Sequence, residues 1–202
     1  MKVGIIDYGM GNISSISSTL KYIGVTDIII TNSFEDLLSS DKLILPGVGS
    51  FANAMKNIKE KKINLFLDEI VLKRKKIILG ICLGMQLMSK QSNEDGLNEG
   101  LGYVDAVVSK FENLNIKIPH VGFNQIDVCK NSKLFDKIND KPDFYFTHSY
   151  KMRGNSYINQ SNCIYGESFI ASFEYNNVFG TQFHPELSQS NGIQLLKNFI
   201  NL

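Results

Sequence analysis

The chain has 202 residues, 43% of them hydrophobic, so it is long enough to bury a sizeable core without disulfides or a structural metal. Its 21 basic and 20 acidic residues nearly cancel, which gives no sign of a surface for nucleic acid or membrane. Three cysteines without a C-x-x-C pair argue against a disulfide framework or a zinc site and predict a reducing, cytoplasmic location. No apolar run approaches the roughly 20 residues of a membrane span.

The first half of the chain alternates predicted strands and helices. Strands are predicted over residues 3–6, Asp27–Thr31 and Lys42–Leu45, and helices over 13–23, Phe34–Ser39 and 54–74. This order is typical of a mostly parallel, doubly wound α/β sheet flanked by helices, with reactive groups at the carboxyl ends of strands. The Gly-x-Gly after the first strand lacks the third glycine of a dinucleotide fingerprint, which disfavours nucleotide binding.

The second half predicts shorter strands separated by turns. After a polar loop over residues 93–102, strands are predicted over 104–111, 126–128, 144–147, 163–167, 170–175 and 178–183, and a helix over 191–200. The Asn176-Asn177 pair is typical of a hairpin turn. No linker separates the halves, so we expect antiparallel strands added to the parallel sheet within one domain, residues 1–202.

The stretch from residue 75 to residue 88 carries the clearest chemical pattern. An aliphatic strand runs into Gly80-Ile81-Cys82-Leu83-Gly84 and then into an apolar segment of helical composition. This order is that of a nucleophile elbow, with cysteine in place of serine. Gly80 and Gly84 are expected because a Cβ atom at either position would collide with the neighbouring strand or helix. A buried core cysteine is the alternative for Cys82 taken alone.

A second glycine-rich loop follows the third predicted strand. Pro46-Gly47-Val48-Gly49 would present backbone N–H groups in conformations that glycine permits, which is how an oxyanion hole is built without side chains. A simple strand-to-helix turn is the alternative for this loop on its own.

A cysteine nucleophile needs an imidazole base, and the chain has three histidines. His184 ends the last predicted strand and is followed by Pro185 and Glu186. Proline ends a strand, so His184 is predicted at its carboxyl end with Glu186 within reach of the ring. A carboxylate on one ring nitrogen would fix the tautomer and leave the other nitrogen facing the thiol. His120 and His148 are interpreted as structural or interfacial.

These motifs resemble those of the class I glutamine amidotransferases, on Cys82, His184 and Glu186. Four further stretches resemble the glutaminase subunits of imidazole glycerol phosphate synthases. They are Asp7-Tyr8-Gly9-Met10-Gly11-Asn12, Pro46-Gly47-Val48-Gly49-Ser50-Phe51, Ile118-Pro119-His120-Val121-Gly122-Phe123-Asn124 and Thr147-His148-Ser149-Tyr150. The motifs fall in order from residue 7 to residue 186, so the resemblance covers nearly the whole chain.

The resemblance implies hydrolysis of glutamine through a thioester on Cys82, with His184 as acid and base and Glu186 orienting its ring. The implied oxyanion-hole residues are Gly47, Val48, Gly49 and Leu83. The implied glutamine-binding residues are Gln86, Ser149 and Tyr150. No cofactor and no metal are implied.

The resemblance also implies a partner, a (β/α)8-barrel cyclase subunit that receives the ammonia in a heterodimer. The cyclase would make imidazole glycerol phosphate and an aminoimidazole carboxamide ribotide. Alone, the chain is expected to have almost no glutaminase activity until the partner and its ribotide substrate reorient the oxyanion strand. The implied interface residues are Tyr8, Gly9, Met10, Gly11, Asn12, His120, Phe123, Asn124 and Leu187.

Two positions depart from that subfamily, which commonly carries lysine where Leu187 stands and tryptophan where Phe123 stands. They leave open a paralogue that supplies ammonia to another acceptor, such as a sugar-modifying amidotransferase. A cysteine peptidase or deglycase of the same topology is disfavoured, because those relatives usually carry histidine where Leu83 stands. A non-catalytic docking subunit is disfavoured as well, because it would not need Cys82 together with its histidine and glutamate.

Overall fold

The computed structural model describes residues 1–112, 115–154 and 158–202, which form two β-sheets and flanking helices. The larger sheet contains β1 (Lys2–Ile6), β2 (Asp27–Thr31), β3 (Lys42–Leu45), β4 (Ile77–Ile81), β8 (His120–Asp127), β9 (Asp143–His148), β11 (Asn159–Tyr165), β12 (Glu167–Tyr175) and β13 (Val178–Thr181). The smaller contains β5 (Gln91–Ser92), β6 (Asn98–Glu99), β7 (Ala106–Lys110) and β10 (Tyr150–Gly154). The α-helices are α1 (Ile13–Tyr22), α2 (Phe34–Ser39), α3 (Phe51–Glu60), α4 (Ile63–Leu67), α5 (Leu83–Leu87) and α6 (Gln189–Asn201).

The larger sheet confirms the predicted fold class. Its strand order is β2-β1-β3-β4-β13-β12-β11-β8-β9. The five strands from β2 to β13 pair in parallel, and the remaining pairings are antiparallel. The antiparallel strands therefore extend the parallel sheet, as expected, whereas the smaller sheet was not foreseen.

The parallel strands are buried on both faces, which explains their continuous apolar runs. In β3, Leu43 and Leu45 join the core cluster that contains residues of α2 to α5, while Ile44 joins the cluster that contains residues of α1 and α6. Lys42 is also buried, and its Nζ donates to the Phe199 carbonyl oxygen at 2.9 Å near the end of α6. The same carbonyl also accepts from the Leu202 N–H at 3.3 Å, so two donors hold the last turn of the helix.

The single long helix predicted over residues 54–74 is wrong. The helix α3 begins at Phe51 and ends at Glu60, and α4 begins at Ile63 and leads into a π-helical stretch, Asp68–Lys73. Between them Lys62 adopts a left-handed conformation with φ of 58°. Ile58 and Ile63 are both fully buried although five residues apart, a spacing that one regular helix would not place on one face. The break allows both to reach the core.

Three strand predictions in the second half also need correction. The strand predicted over 126–128 begins at His120, the polar loop 93–102 contains the strand β6, and β10 was not predicted at all. β10 contains Lys151, which is fully buried and whose Nζ lies 3.2 Å from Glu167 Oε2. A buried ion pair gives a strand no apolar alternation, so its pattern is that of a polar loop.

Candidate active site

The candidate site lies where two neighbouring parallel strands end. β4 and β13 are paired with Ile81 opposite Thr181, so the residues that follow them emerge at the same edge of the sheet. The Cys82 backbone N–H donates to the Thr181 carbonyl oxygen at 2.7 Å. His184 follows β13 closely, so the sheet brings the elbow and the histidine together although they are far apart in the chain.

The turn at Cys82 has the strain of a nucleophile elbow. Its φ of 53° and ψ of −111° are unfavourable for any residue with a Cβ atom. A Cβ atom at Gly84 would lie 1.9 Å from the Leu45 carbonyl oxygen, and one at Gly80 would lie 2.7 Å from the Met85 nitrogen. The predicted need for both glycines is confirmed, because strand and helix approach this closely only without those atoms.

Three hydrogen-bond contacts fix the position of His184. Its backbone N–H donates to the Tyr145 carbonyl oxygen at 2.9 Å, and its carbonyl accepts from Ser188 Oγ at 2.6 Å. Pro185 begins a 3-10 turn that brings Glu186 back, so that His184 Nδ1 and Glu186 Oε1 are 2.9 Å apart. The contact expected between the ring and the carboxylate is therefore present, and both side chains are buried.

The electrostatics at His184 depend on its two neighbours. Burial lowers the pKa of the imidazole, but interactions with Cys82 and Glu186 outweigh it and raise the pKa to about 10. No described residue forms a hydrogen bond of regular geometry with the buried Nε2 atom, so we treat the Cys82 interaction as an electrostatic contact. At neutral pH the imidazole therefore holds a proton that it can give to a leaving group.

Cys82 and His184 open onto a cavity of about 380 Å³. Six other residues implied in oxyanion or glutamine binding line it: Val48, Gly49, Leu83, Gln86, Ser149 and Tyr150. Four residues that line it were not predicted to do so: Glu94, Pro119, Thr147 and His148. The cavity thus gathers residues from separate stretches of the chain around one thiol.

Gly47 is the implied oxyanion residue that does not line this cavity. A Cβ atom there would lie 2.6 Å from the Gly84 nitrogen, so its backbone is pressed against the elbow. Val48 is exposed at the rim, and Gly49 has a φ of +106°, which favours glycine. The loop segment from Gly47 to Gly49, which follows β3, therefore runs from the elbow to the mouth of the cavity.

Two buried amide side chains join the cavity wall to the thiol. Gln86 Nε2 donates to the Tyr150 carbonyl oxygen and to Gln182 Oε1, both at 2.9 Å. Gln182 Nε2 in turn lies 3.8 Å from Cys82 Sγ. Both amide hydrogens of Gln86 are thus used within the protein, and its Oε1 is the atom suited to a ligand. Gln182 was missed, although a glutamine in an apolar strand two residues before His184 is a usable signal.

Glu94 brings a carboxylate to the same cavity from the loop between β5 and β6. Its Oε2 accepts from the Phe51 N–H at 2.9 Å, at the first residue of α3. Burial raises the pKa of Glu94, and the Phe51 hydrogen bond opposes that rise. No local pattern marks this residue, because its place depends on the packing of the loop against α3.

Comparisons with known proteins agree with this arrangement. The family model described as glutamine amidotransferase class-I matches residues 4–202. The chain is 46% identical over 201 residues to "Imidazole glycerol phosphate synthase subunit HisH 1" of Campylobacter jejuni, which covers 99% of this chain and 100% of that protein. It is 39% identical over 200 residues to the HisH subunit of Aquifex aeolicus, covering 98% of this chain and 96% of that protein.

The chain belongs to the class-I glutamine amidotransferases and, within them, to the HisH subunits of imidazole glycerol phosphate synthase. The expectation of an enzyme of this class in histidine biosynthesis is thereby confirmed. A solved structure titled "Crystal structure of glutamine amidotransferase" aligns with a TM-score of 0.78 at 19% identity, over 100% of this chain and 98% of that one. This likeness supports the fold.

Two of the expected interface residues have buried side chains. Tyr8 is fully buried and its hydroxyl donates to the Pro46 carbonyl oxygen at 2.8 Å, and His120, the first residue of β8, is buried opposite His148 of β9. Neither side chain is at the surface, because each fills the apolar space beneath its loop or strand. Phe123 and Leu187 are 49% and 41% exposed.

Neither a metal centre nor a membrane-spanning helix is found in the described parts of the chain. Among the described residues, no group of three or more His, Cys, Asp or Glu side chains could hold a metal ion. No helix in the described ranges is long and apolar enough to cross a membrane.

Proposed function

We propose that this chain hydrolyses glutamine to glutamate and ammonia with Cys82, His184 and Glu186 as a catalytic triad. The observation that carries the proposal is the strained Cys82 at the strand-to-helix turn, which shares a cavity with an imidazole bonded to a carboxylate. We also propose that residues 1–202 act as one domain, since the family model matches residues 4–202.

In the proposed first step, Cys82 Sγ, whose proton has passed to His184 Nε2, attacks the side-chain carbonyl carbon of glutamine. The C–N bond breaks, the nitrogen leaves as ammonia with the proton of His184, and a γ-glutamyl thioester remains. Water then attacks the thioester, His184 takes its proton, the C–S bond breaks and glutamate is released, which leaves the Cys82 sulfur and the protonated His184 as they began. Glu186 keeps Nδ1 bonded, so that Nε2 serves both proton transfers.

Backbone N–H groups would hold the negative charge of the carbonyl oxygen in both steps. We assign this role to the strand from Gly47 to Gly49 and to Leu83, which meet beside Cys82. Each correctly placed donor is worth about 3 kcal/mol of transition-state stabilisation.

The amino-acid end of glutamine would be held across the cavity from the thiol. Gln86 Oε1 and the backbone of Ser149 and Tyr150 supply hydrogen bonds, and the Glu94 carboxylate supplies a charge for the substrate ammonium. Glu94 is our addition to the glutamine-binding set.

We further propose a (β/α)8-barrel cyclase partner that receives the ammonia, since the relatives are named as subunits of a synthase. Val121, Phe123 and Leu187 are exposed apolar side chains suited to such a contact. The loop Gly9 to Asn12 would transmit docking, because Met10 packs against Gly49 of the oxyanion strand. The partner would thereby switch on hydrolysis by reorienting that strand.

A second candidate function is supply of ammonia to a different acceptor, such as a sugar-modifying enzyme. The observation that favours it is the pair Phe123 and Leu187, which replaces a larger aromatic and a charged side chain on this surface. The numbered names HisH 1 and HisH 2 of relatives fit organisms that hold more than one such protein.

The experiment is to mix this chain with the cyclase subunit of the same cell and measure glutamate release and imidazole glycerol phosphate formation, with and without the ribotide substrate. We expect the cyclase subunit and the ribotide substrate each to activate glutamate release strongly. Cys82→Ala should abolish the glutamine-dependent synthesis and leave the ammonia-dependent synthesis by the complex intact.

Each alternative has its own outcome in that experiment. If glutamate release survives Cys82→Ala, the triad is wrong. If only another partner activates glutamate release by the wild-type chain, the proposed glutaminase chemistry is kept and the ammonia acceptor is a different enzyme. Equal rates with and without partner would contradict the reorientation of the oxyanion strand.

A further inference from the structure

Two buried histidines lie behind the candidate site and have no role in the proposed chemistry. His120 on β8 and His148 on β9 are cross-strand partners, 2% and 6% exposed. The His120 ring stacks on Tyr165 with centroids 4.0 Å apart and on Phe146 at 4.8 Å. His148 also lines the cavity that contains Cys82, so the pair connects strand β8 to the site.

The hydrogen bonds of these rings can run in one direction only. His148 Nδ1 lies 2.8 Å from the Tyr150 carbonyl oxygen, which can only accept, so Nδ1 carries the hydrogen. Burial lowers the pKa of His148 to about 3 and that of His120 to about 4, so both rings are neutral. His148 Nε2 is then an acceptor for His120 Nδ1 at 3.0 Å.

The chain of bonds continues outward by the same reasoning. With its hydrogen on Nδ1, His120 accepts at Nε2 from Asn124 Nδ2, 3.4 Å away. The same Asn124 nitrogen donates to the Ile164 carbonyl oxygen at 3.2 Å, which fixes the orientation of the amide. Asn124 stands beside Phe123 on the strand that carries the exposed apolar residues.

The series of hydrogen bonds ends, on the side of the cavity, at the Tyr150 carbonyl. This oxygen accepts from His148 Nδ1 and from Gln86 Nε2, so two donors fix it. Tyr150 is the first residue of β10, and Ser149 is the single residue between β9 and β10 where the chain passes from the larger sheet to the smaller. Holding the carbonyl therefore orients the Ser149-Tyr150 backbone that faces the cavity.

We propose that Asn124, His120 and His148 form a one-way hydrogen-bond relay that holds the Tyr150 carbonyl and so positions the backbone that binds glutamine. The inference rests on the proposed function, and it makes His120 and His148 positioning residues. It also connects β8, whose opposite face carries the exposed Val121 and Phe123, to the glutamine pocket through polar side chains.

The first test determines the tautomers of the two histidine rings and needs no activity measurement. In the wild-type chain labelled with ¹⁵N-histidine, long-range ¹H–¹⁵N spectra at pH 7 should show His120 and His148 as neutral rings with the hydrogen on Nδ1. Assignment uses one variant at each histidine. A cationic ring, or a hydrogen on Nε2 of either residue, would overturn the relay.

The second test separates positioning from packing in the complex with the cyclase partner. His120→Phe keeps a stacked ring but removes the donor to His148 Nε2, so the His148 ring loses the hydrogen bond that orients it towards the Tyr150 carbonyl. We expect KM for glutamine to rise about five- to tenfold with kcat nearly unchanged. His120→Asn offers an amide N–H near the position of Nδ1 and should restore most of the affinity.

Tyr165→Phe is the matched control, because it keeps the ring stacked on His120 and removes only a hydroxyl that donates to the Lys117 carbonyl. Its KM should match the wild type. The proposal would be contradicted by an unchanged KM for glutamine in His120→Phe. An equal rise in KM in His120→Phe and His120→Asn would contradict it as well. If the wild type releases no glutamate at all, the proposed function fails, whereas the ring spectra still decide the relay.

Discussion

At the scale of single residues, Glu94 carries the charge that the predicted glutamine pocket lacked. Its carboxylate is half-buried, accepts from the first backbone N–H of α3, and lines the same cavity as Cys82. The other assigned contacts to the amino-acid end are neutral amide or backbone groups. A carboxylate in this place gives the pocket a preference for a substrate with a free ammonium group.

Glu94→Gln tests that assignment. The amide oxygen can still accept from Phe51, so α3 should keep its start, but the charge for the substrate ammonium is gone. We expect KM for glutamine to rise about 10- to 100-fold with a smaller change in kcat. Glu99→Gln on the same hairpin, where the side chain is exposed beside Lys59, is the control and should behave as the wild type. Equal KM values for both variants would remove Glu94 from the site.

At the scale of elements, the break between α3 and α4 shows a local conformation that the core imposes. Lys62 is exposed and left-handed, a conformation that costs a residue with a Cβ atom about 1–2 kcal/mol. The two helices on either side bury Ile58 and Ile63, and their combined burial offsets that strain.

Lys62→Gly should therefore raise the free energy of unfolding by about 0.5–1 kcal/mol, since relief of the strain exceeds the added entropy of the unfolded chain. The control is Lys56→Gly within α3, an exposed position where glycine should cost about 1 kcal/mol. Urea unfolding of the two variants gives the comparison. A loss of stability in both would mean that Lys62 is not strained.

At the scale of the whole molecule, the two buried neutral histidines shape the acid side of the stability curve. The pKa values of His148 and His120 fall from 6.5 to about 3 and about 4 on folding. Below pH 6.5 the unfolded chain binds protons at both residues and the native chain does not. Stability from this source is complete above pH 6.5 and is lost as the pH falls towards 4.

We expect the free energy of unfolding to fall with a limiting slope of about 1.4 kcal/mol per pH unit for each of the two histidines. His184, whose raised pKa keeps it protonated in the native chain, opposes this slope near and above pH 6.5, where its unfolded form loses the proton. At lower pH it adds no slope, because it is protonated in both states. Urea unfolding between pH 7 and pH 4.5 measures the effect, and His120→Asn should lower the slope by about half. A flat curve above pH 5 would contradict the burial of neutral rings.

The fold class and several element bounds were predictable because they depend on local patterns. Two strands and one helix have the bounds predicted for them: Asp27–Thr31, Lys42–Leu45 and Phe34–Ser39. Each is a short apolar or capped run with clear ends. The prediction was wrong where tertiary contacts override the pattern. Lys151 makes a buried strand look polar, and Lys62 interrupts what looks like one helix.

The sequence by itself determined the chemistry that lies within a few residues: the glycines that allow the turn at Cys82, and the proline that returns Glu186 to His184. Only the tertiary structure decided that β13 lies beside β4, which puts the thiol next to the imidazole, and that Glu94 and Gln182 join them. It also placed His120 in the interior, a residue whose pattern had left a structural and an interfacial role open. The reason is physical: turns and caps are set by neighbouring residues, whereas strand order and side-chain neighbours depend on how the whole sheet packs.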